Sequence, residues 1–300
     1  DDSVSQGTWS YTEGMTYYSA KSLIHALADK ISKNGNLLLN ISPRADGSIP
    51  EEQQTILLEI GDWLKRYGEA VYSTRAWSVY GEGPTVMGGG VWQTPTEGSA
   101  EDIRFTRSKD SKILYAIALG DPEDGTLDIR TLKEGVLDKS AISGIYMADG
   151  TEAALEYVQD ENGLHITLPS AADSTDLNGR AVKIVFQEEI PDIQGVTLWS
   201  ESDYKGTAAT LVPGEYNVNE LADFGVEADT TSSVQVPEGY SLYIYDEGDN
   251  SGAYGIIEKD TASLGNWNDK IASVRVVKNV DVKATVEPED GKTYQIVLRN

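Results

Sequence analysis

Asn36-Leu37-Leu38-Leu39-Asn40-Ile41 is a short, nearly continuous apolar run. This is the pattern of a parallel β-strand that is covered on both of its faces. Such a strand cannot satisfy its own ladder hydrogen bonds, so it needs neighbouring strands. The rest of the sequence offers no alternation of strands and helices that would supply them. The run therefore predicts that the amino-terminal region is part of a larger α/β unit.

A helix is predicted on each side of this run. The preceding helix starts at the N-cap Ser19 and ends near Lys30, Lys33 and Gly35, which complement the helix dipole and provide a left-handed stop. Its apolar stripe consists of Leu23, Ile24, Leu27 and Ile31. Pro50 opens the following helix. The predicted inward face of that helix consists of Gln53, Leu57, Ile60 and Leu64.

The pattern changes from about Ile103 onward to short runs of period two, separated by Gly, Pro, Asp and Asn. Examples are Ile113 to Leu119, Leu164 to Leu168 and Val182 to Phe186. This texture is typical of antiparallel strands and predicts a β-sandwich. His165 falls in one such strand and His25 in the first helix. We expect structural rather than catalytic roles for both.

An internal repeat follows a boundary near residues 188–192. Trp199-x4-Tyr204-x-Gly206 is echoed by Tyr245-x4-Asn250-x-Gly252, and each copy is followed by a polar hexad. The hexads are Ala228-Asp229-Thr230-Thr231-Ser232-Ser233 and Asn268-Asp269-Lys270-Ile271-Ala272-Ser273. Two copies predict two similar four-stranded units that bury a common core. Each hexad offers carboxylate, carbonyl and hydroxyl oxygens, which are the ligands that calcium prefers.

The composition excludes several classes of function. With 49 acidic and 24 basic residues the net charge is −25, which disfavours nucleic acid as a partner. The chain has no Cys and only two His, which removes disulfides, thiolate nucleophiles and most transition-metal sites. No apolar run is long enough to span a membrane. Signature motifs of serine hydrolases, nucleotide-binding loops and zinc proteases are absent as well.

Residues 9–84 resemble the carboxyl-terminal end of the catalytic barrel of family 29 α-L-fucosidases. The resemblance is carried by Trp9-Ser10-Tyr11, by residues 35–43, by Asp46-Gly47-Ser48-Ile49-Pro50 and by residues 68–75. Residues 102–106 and 114–117 are similar to the opening of the β-sandwich that follows the barrel in that family. The implied fold is mixed and mostly β: the end of a (β/α)8 barrel over 1–95 and an antiparallel sandwich over 96–188.

The resemblance implies a retaining glycosidase that hydrolyses terminal α-L-fucosides through an Asp nucleophile and a Glu acid/base. In the family both carboxylates precede the motif that Trp9-Ser10-Tyr11 echoes, so this chain is expected to lack them and to be inactive alone. No cofactor is expected for catalysis. Trp9 and Tyr11 are candidates to line the sugar pocket, because aromatic faces meet the apolar side of a sugar ring. Ordinary packing at the barrel rim is the alternative.

Residues 189–279 resemble a βγ-crystallin Greek-key domain, whose family motif the hexads echo. Carried over, the resemblance gives one calcium site, formed by the Thr230 and Glu201 carbonyls, the Ser232 hydroxyl and Asp269. A second site would use Lys270, Asp229 and Glu247, but Ala272 supplies no hydroxyl. Ala228 also departs from the motif. A purely structural domain without calcium is the alternative.

Residues 280–300 are expected to be a linker or the start of a lectin-like β-trefoil. The preferred interpretation is the carboxyl-terminal portion of a modular, secreted bacterial fucosidase that acts on fucosylated glycans. The missing part of the barrel would be its partner or an upstream segment. The alternative is a noncatalytic accessory protein that binds carbohydrate or calcium and retains a barrel remnant.

Overall fold

We obtained the structure as a computed structural model, which describes residues 1–87 and 94–279 and the backbone of two further strands, Val282–Val286 and Tyr294–Leu298. The chain forms two compact units, Asp1–Ile193 and Gln194–Asn300. Antiparallel sheets dominate both units, so the predicted mixed, mostly β fold class is confirmed. Within the described ranges no helix is both long and apolar enough to cross a membrane.

The predicted helix, strand and second helix are present at the start of the first unit. They are α1 (Ala20–Ser32), β2 (Leu39–Asn40) and α2 (Glu51–Tyr67), and β1 (Asp2–Ser3) precedes them. β1 and β2 pair in parallel. The parallel partner of the apolar run is therefore a two-residue strand that sequence reasoning did not identify, because two residues are too few to show a period.

The predicted start of α1 is confirmed, whereas the residue predicted to terminate it is corrected. The Ser19 side chain accepts a hydrogen bond from the backbone N–H of Ser22 at 3.0 Å. At the other end Asn34, with φ of 62°, takes the left-handed conformation that was predicted for Gly35. Gly35 is needed for a different reason, since a Cβ there would lie 2.9 Å from the Lys30 carbonyl oxygen.

The apolar run around β2 is less buried than its sequence predicts. Leu38 is 64% exposed, and Leu39 and Ile41 are only half-buried. The expectation of a strand covered on both faces is therefore wrong for this chain. Among the described residues only β1 pairs with β2, so one side of this short sheet has no neighbouring strand.

The buried face of helix α2 agrees only in part with the inward face predicted from the sequence. Gln53 is fully buried as expected, whereas Leu57, Ile60 and Leu64 are half-buried. The largest buried side chains of this helix are Trp63 and Tyr67, whose rings lie 5.9 Å apart. Trp63 follows Ile60 by three positions and Tyr67 follows Leu64 by three positions, so the buried face is rotated slightly from the predicted one.

The β-sandwich of the first unit consists of a five-stranded and a three-stranded antiparallel sheet. The larger sheet has the order β3-β4-β5-β10-β7 and the smaller one β6-β9-β8. The strands are β3 (Thr74–Glu82), β4 (Ile103–Ser108), β5 (Ile113–Ala118), β6 (Thr126–Ile129), β7 (Ile142–Met147), β8 (Tyr157–Gln159), β9 (Leu164–Thr167) and β10 (Arg180–Phe186). β3 lies in the range that the sequence assigns to the barrel, yet it pairs with β4.

The second unit contains two sheets around one hydrophobic core. Its elements are β11 (Val196–Glu201), β12 (Lys205–Leu211), β13 (Gly214–Tyr216), α3 (Val218–Ala222), β14 (Ser233–Gln235), β15 (Tyr240–Tyr245), β16 (Tyr254–Ile257) and β17 (Ser273–Lys278). The sheet orders are β12-β11-β14 and β13-β17-β15-β16. Leu198, Val234, Leu242 and Val274 are among the buried core residues.

Each repeat contributes one segment to the sheet of the other repeat. β13 belongs to the first repeat but pairs with β17 of the second. In return Thr261, in the second repeat, forms an antiparallel bridge with Val234 of β14. Each sheet therefore contains a segment of the other repeat, which explains why neither repeat could bury this core alone. The sequence revealed the repeat but not the exchange.

Val282–Val286 (β18) and Tyr294–Leu298 (β19) form an antiparallel pair. The rest of the segment 280–300 lies outside the described residues, including most of the stretch that is expected to begin a lectin-like domain. Its assignment as linker or lectin start stays a prediction.

Candidate functional site

The first candidate site lies on the loop that follows β1. This loop runs from the carboxyl end of β1 to α1 and carries Trp9 and Tyr11, which are 38% and 37% exposed. In (β/α)8 barrels the substrate is bound at the carboxyl ends of the parallel strands. The two predicted sugar-facing residues therefore lie on the end of the parallel pair where the chemistry of such a fold takes place.

A set of side-chain hydrogen bonds fixes this loop to the end of β2. Asn40 donates from Nδ2 to the Trp9 carbonyl at 3.0 Å, and the Ser42 hydroxyl donates to the same oxygen at 3.3 Å. Ser42 Oγ also lies 3.0 Å from Ser5 Oγ. Helix α2 secures Ser42 in turn, because the buried Gln53 side chain bonds both its N–H and its carbonyl. The Trp9 carbonyl is thus held by two side chains at the end of β2.

The Tyr11 ring has a cationic neighbour. The guanidinium carbon of Arg44 lies 5.4 Å from the centroid of the Tyr11 ring. Arg44 sits in the loop between β2 and α2, so it also lies beyond the carboxyl end of a parallel strand. An aromatic face beside a guanidinium combines a surface for an apolar sugar face with N–H donors for sugar hydroxyls.

The acidic residues near this loop have different environments. Asp2 is 4% exposed, and its Oδ2 accepts from Lys30 Nζ at 2.8 Å. Its Oδ1 is buried without a hydrogen-bond partner. Glu13 is exposed. Asp2 is therefore engaged in an ion pair with α1, which is a structural position for a carboxylate.

Both histidines lie outside this loop. His25 is fully buried, and its Nδ1 accepts from the Gly98 backbone N–H at 2.9 Å. Burial, together with the nearby Lys21 charge, lowers the pKa of His25 to about 3, so its ring is neutral at ordinary pH. His165 contacts Asp128 at 2.6 Å and Asp160 at 2.9 Å through its two ring nitrogens. Hydrogen bonds to Asp160 and Asp128 raise the pKa of His165.

The second candidate site is formed by the two polar hexads, which meet through reciprocal backbone hydrogen bonds. The Asp229 N–H donates to the Ile271 carbonyl at 3.0 Å, and the Asp269 N–H donates to the Thr231 carbonyl at 3.1 Å. Both aspartates have positive φ, 58° and 55°, a conformation that Asp tolerates better than most residues. The two hexads therefore have equivalent conformations.

The last serine of each hexad ties the hexad to the loop after the first aromatic residue of its own repeat. Ser233 Oγ donates to the Glu201 carbonyl at 2.6 Å, and Ser273 Oγ donates to the Glu247 carbonyl. These serines are fully buried. The two carbonyls that the sequence nominated as ligands are thereby held beside their hexads.

The loops that carry these carbonyls require glycine. A Cβ on Gly206 would lie 2.3 Å from Ser200 Oγ, and a Cβ on Gly252 would lie 2.3 Å from Asp246 Oδ1. In each loop the side-chain oxygen instead accepts the N–H of the residue after the glycine, Thr207 or Ala253. Steric exclusion of a Cβ therefore explains why both repeats have glycine at this position, Gly206 and Gly252.

The predicted ligands are only partly brought together by direct contacts. Ser232 Oγ donates to Asp269 Oδ1 at 3.0 Å, which joins the hydroxyl of one hexad to the carboxylate of the other. The Thr230 hydroxyl bonds the Glu227 carbonyl instead and leaves the Thr230 carbonyl as the candidate ligand. At the second position Ala272 is 9% exposed and supplies no oxygen beside Asp229.

Sequence reasoning missed one oxygen beside Asp269. Asn268 donates from Nδ2 to Asp269 Oδ2 at 2.9 Å, while its own Oδ1 is buried without a hydrogen-bond partner. The motif position of Asn268 was the available signal. Asn250 Oδ1, in the loop after Tyr245, is also buried without a partner. Among the described residues no cluster of three or more acidic or histidine side chains could hold a metal, so the candidate site depends on carbonyl and hydroxyl oxygens.

Comparison with known proteins identifies two segments of the first unit. Residues 1–69 match the model of the α-L-fucosidase family, and residues 96–184 match the model of the α-L-fucosidase carboxyl-terminal domain. Tissue α-L-fucosidase of Rattus norvegicus is 33% identical over 177 residues, which cover 58% of this chain and 33% of that protein. The chain thus spans about a third of the length of the curated relatives it matches.

Two solved structures are similar to different parts of the chain. The Thermotoga maritima α-fucosidase in complex with a mechanism-based inhibitor has 28% identity and a TM-score of 0.47, covering 61% of this chain and 38% of that one. A βγ-crystallin domain from Flavobacterium johnsoniae has 32% identity and a TM-score of 0.29, covering 30% of this chain and all of that one.

The two family segments together make up more than half of the 300 residues, and the α-L-fucosidase segment precedes the carboxyl-terminal-domain segment. The first of them contains the loop after β1, called the Trp9 loop below, and the residues Asn40 and Ser42 that hold it. The second contains most of the five-stranded sheet. Over residues 1–69 and 96–184 this chain belongs to the α-L-fucosidase family, glycoside hydrolase family 29.

Proposed function

We propose that this chain is the carboxyl-terminal portion of a retaining α-L-fucosidase that releases terminal α-L-fucose from glycans. The observation that carries the proposal is the pair of family segments, 1–69 and 96–184, in the order of that family. The position of the Trp9 loop at the carboxyl end of a parallel strand pair supports it, since this is where barrel enzymes bind substrate.

In the proposed enzyme Trp9 and Tyr11 contribute the apolar wall of the fucose pocket. Fucose has an apolar face and a methyl group, which pack on aromatic rings, while its hydroxyls need donors and acceptors. Arg44 beside Tyr11 would supply donors. Asn40 and Ser42 would act as positioning residues, because they hold the Trp9 carbonyl and touch no reacting atom.

The chemical step requires more than these residues. A retaining glycosidase uses a nucleophilic carboxylate and a carboxylic acid about 5–5.5 Å apart on either side of the glycosidic carbon. The family resemblance assigns both to positions before Trp9. Asp2, the buried acid near the loop, is paired with Lys30. We therefore propose that the 300 residues bind part of the substrate surface but do not cleave it. We also propose that the parent enzyme is secreted by a bacterium.

An aryl α-L-fucoside assay tests this proposal. We expect the 300-residue chain to release no aryl alcohol above the buffer rate, because the acid and the nucleophile are missing. A chain extended upstream in its reading frame until it includes both carboxylates should be active. Turnover by the 300 residues would overturn the proposed inactivity. An extended chain with both carboxylates and no turnover would overturn the proposed fucosidase function.

The hexads support a second, separate proposal: one calcium ion held by the Thr230 and Glu201 carbonyls, the Ser232 hydroxyl and Asp269. The supporting observations are the Ser232 to Asp269 contact across the two hexads and the orphaned, buried Asn268 Oδ1 beside it. Oxygen donors of this kind match the preferences of calcium. Calcium would cross-link the two repeats there.

Calorimetric titration of the chelator-treated chain with calcium chloride tests this site. We expect one ion per chain and loss of the binding heat in Asp269→Ala, with Glu238→Ala, an exposed acid of the same unit, as the matched control. Ala272→Ser should restore the missing hydroxyl and raise the stoichiometry to two. At a hundredfold excess over Kd the ion should stabilise the unit by about 2.7 kcal/mol. An unchanged heat in Asp269→Ala would contradict the site.

A further inference from the structure

The outer face of the sheet β13-β17-β15-β16 carries an exposed aromatic and aliphatic surface. Strand alternation directs Leu242, Ile244 and Ile257 into the core. The alternate positions therefore face outward, and among them Tyr254 and Ile256 are 63% and 51% exposed. We call the set Tyr243, Tyr245, Tyr254 and Ile256 the tyrosine face. None of these four residues is among those proposed to hold calcium.

The register of the strands makes the tyrosine face continuous. Tyr243 lies directly opposite Ile256, and Tyr245 lies directly opposite Tyr254, on neighbouring antiparallel strands. Cross-strand partners have Cβ atoms about 4.5–5.5 Å apart, so their side chains are neighbours on the sheet surface. The Tyr245 and Tyr254 rings have centroids 6.3 Å apart and are tilted by 38°. Two adjacent rings on a sheet make a broad platform rather than a pocket.

A polar border lies on one side of the platform. Arg275 is opposite Tyr243 in the register, and its guanidinium carbon lies 4.4 Å from the Tyr243 ring centroid. Glu215 is opposite Arg275 on the next strand, with its Oε1 3.9 Å from Arg275 Nη1. One row across the sheet therefore consists of Ile256, Tyr243, Arg275 and Glu215. The charged pair at its end supplies hydrogen-bonding groups beside the rings.

The charge of this face differs from that of the whole chain. The chain carries a net charge of −25. Among the outward strand positions of the sheet the charged side chains are Glu215 and Arg275, which oppose each other, and one further carboxylate, Glu258, accepts a hydrogen bond from the outward-facing Ser241 at 3.3 Å. An exposed apolar face with so few charges in so acidic a protein suits an uncharged ligand, since an anion would be repelled by the rest of the molecule and a cation would find a single carboxylate in excess here.

We propose that the tyrosine face binds a neutral glycan chain. A pyranose ring has an apolar face of C–H groups and a rim of hydroxyls, and these match the rings of Tyr245 and Tyr254 and the polar groups of Arg275 and Glu215. Tyrosine suits this use better than leucine because it is a rigid platform that also carries a hydroxyl. Because the tyrosine face lies outside the fucosidase family segments, the proposal does not depend on catalysis.

Affinity electrophoresis in native gels tests the proposal with the full 300-residue chain. The probes are three neutral glycans cast into the gel, xyloglucan, galactomannan and matrix-bound 2′-fucosyllactose, with alginate as an anionic control. We expect at least one neutral glycan to retard the chain and alginate not to. Tyr254→Ala should weaken that retardation about tenfold, as expected when an aromatic contact at the centre of a binding surface is lost.

A second exposed tyrosine provides the matched control. Tyr72 is 62% exposed in the first unit, so Tyr72→Ala removes the same chemical group from a different surface. It should leave retardation unchanged, and thermal unfolding should show that both variants fold. Absence of retardation on all three neutral glycans would overturn the proposal. So would equal retardation of Tyr254→Ala and the unchanged chain, or a concentration-dependent dimer that the Tyr254 variant abolishes without any glycan binding.

Discussion

Trp63→Ala should lower the free energy of unfolding of the first unit by about 3–5 kcal/mol, the range found when a buried large aromatic is truncated. Trp63 is fully buried and packs beside Tyr67. Its Nε1–H donates to the Gly179 carbonyl at 2.8 Å, in the turn that leads into β10. The side chain therefore joins helix α2 to the β-sandwich, and its loss leaves both a cavity and an unpaired carbonyl.

Peptide-resolved hydrogen exchange is the appropriate measurement because the second unit serves as an internal reference. We expect faster exchange in α2 and β10 and unchanged exchange in β15 and β17. Leu58→Ala, on the same helix but 66% exposed, should change the stability by no more than about 0.5 kcal/mol. Trp63→Phe keeps most of the volume and should cost less than Trp63→Ala. Equal exchange in Trp63→Ala and Leu58→Ala would contradict the assigned role.

Helix α2 shows how far a sequence period determines a buried face. The period identified the helix and placed Gln53 inward, because three- and four-residue spacing is a local property of the backbone. It could not rank the apolar residues, since burial depends on which surface the helix meets. Trp63 is buried because it meets the turn at Gly179 of the β-sandwich, which is more than a hundred residues away in sequence.

In the candidate sites, too, local features could be predicted from the sequence and contacts between distant residues could not. Both hexads could be located from the sequence because each is a run of six consecutive residues that recurs in the repeat. The contact between Ser232 and Asp269, by contrast, depends on the pairing of two repeats. The strand exchange of β13 and Thr261 was likewise hidden, because hydrophobic alternation is identical whichever sheet a strand joins.

The Trp9 loop also combines a motif that the sequence reveals with contacts that it does not reveal. Trp9 and Tyr11 could be nominated through a motif, but Asn40 lies in, and Ser42 directly after, an apolar run that predicts only a buried strand. The polar side chains at the end of that run bond the loop. Their role became visible only when β1 and β2 were placed side by side, because strand pairing is a nonlocal property.

Arg104→Met should have the other large effect on the first unit, a loss of about 3 kcal/mol, the lower end of the cost of breaking a buried ion pair. Arg104 is 3% exposed, and its Nε donates to Asp29 Oδ1 of α1 at 2.8 Å. Its Nη1 donates to the Glu82 and Ile103 carbonyls. We expect the lower end because Lys33 remains paired with Asp29 after the substitution.

A double-mutant cycle in urea denaturation separates the charge from the packing. Asp29→Leu alone should also destabilise the unit, because it leaves the Arg104 guanidinium buried without its carboxylate. The double variant Arg104→Met, Asp29→Leu should be more stable than the sum of the two single losses predicts, since it removes both charges together. Arg104→Lys should recover only part of the loss, because an ammonium lacks the planar fork that reaches both Asp29 and the two carbonyls. Strict additivity of the single losses would mean that Arg104 stabilises the junction of α1 and β4 by packing alone.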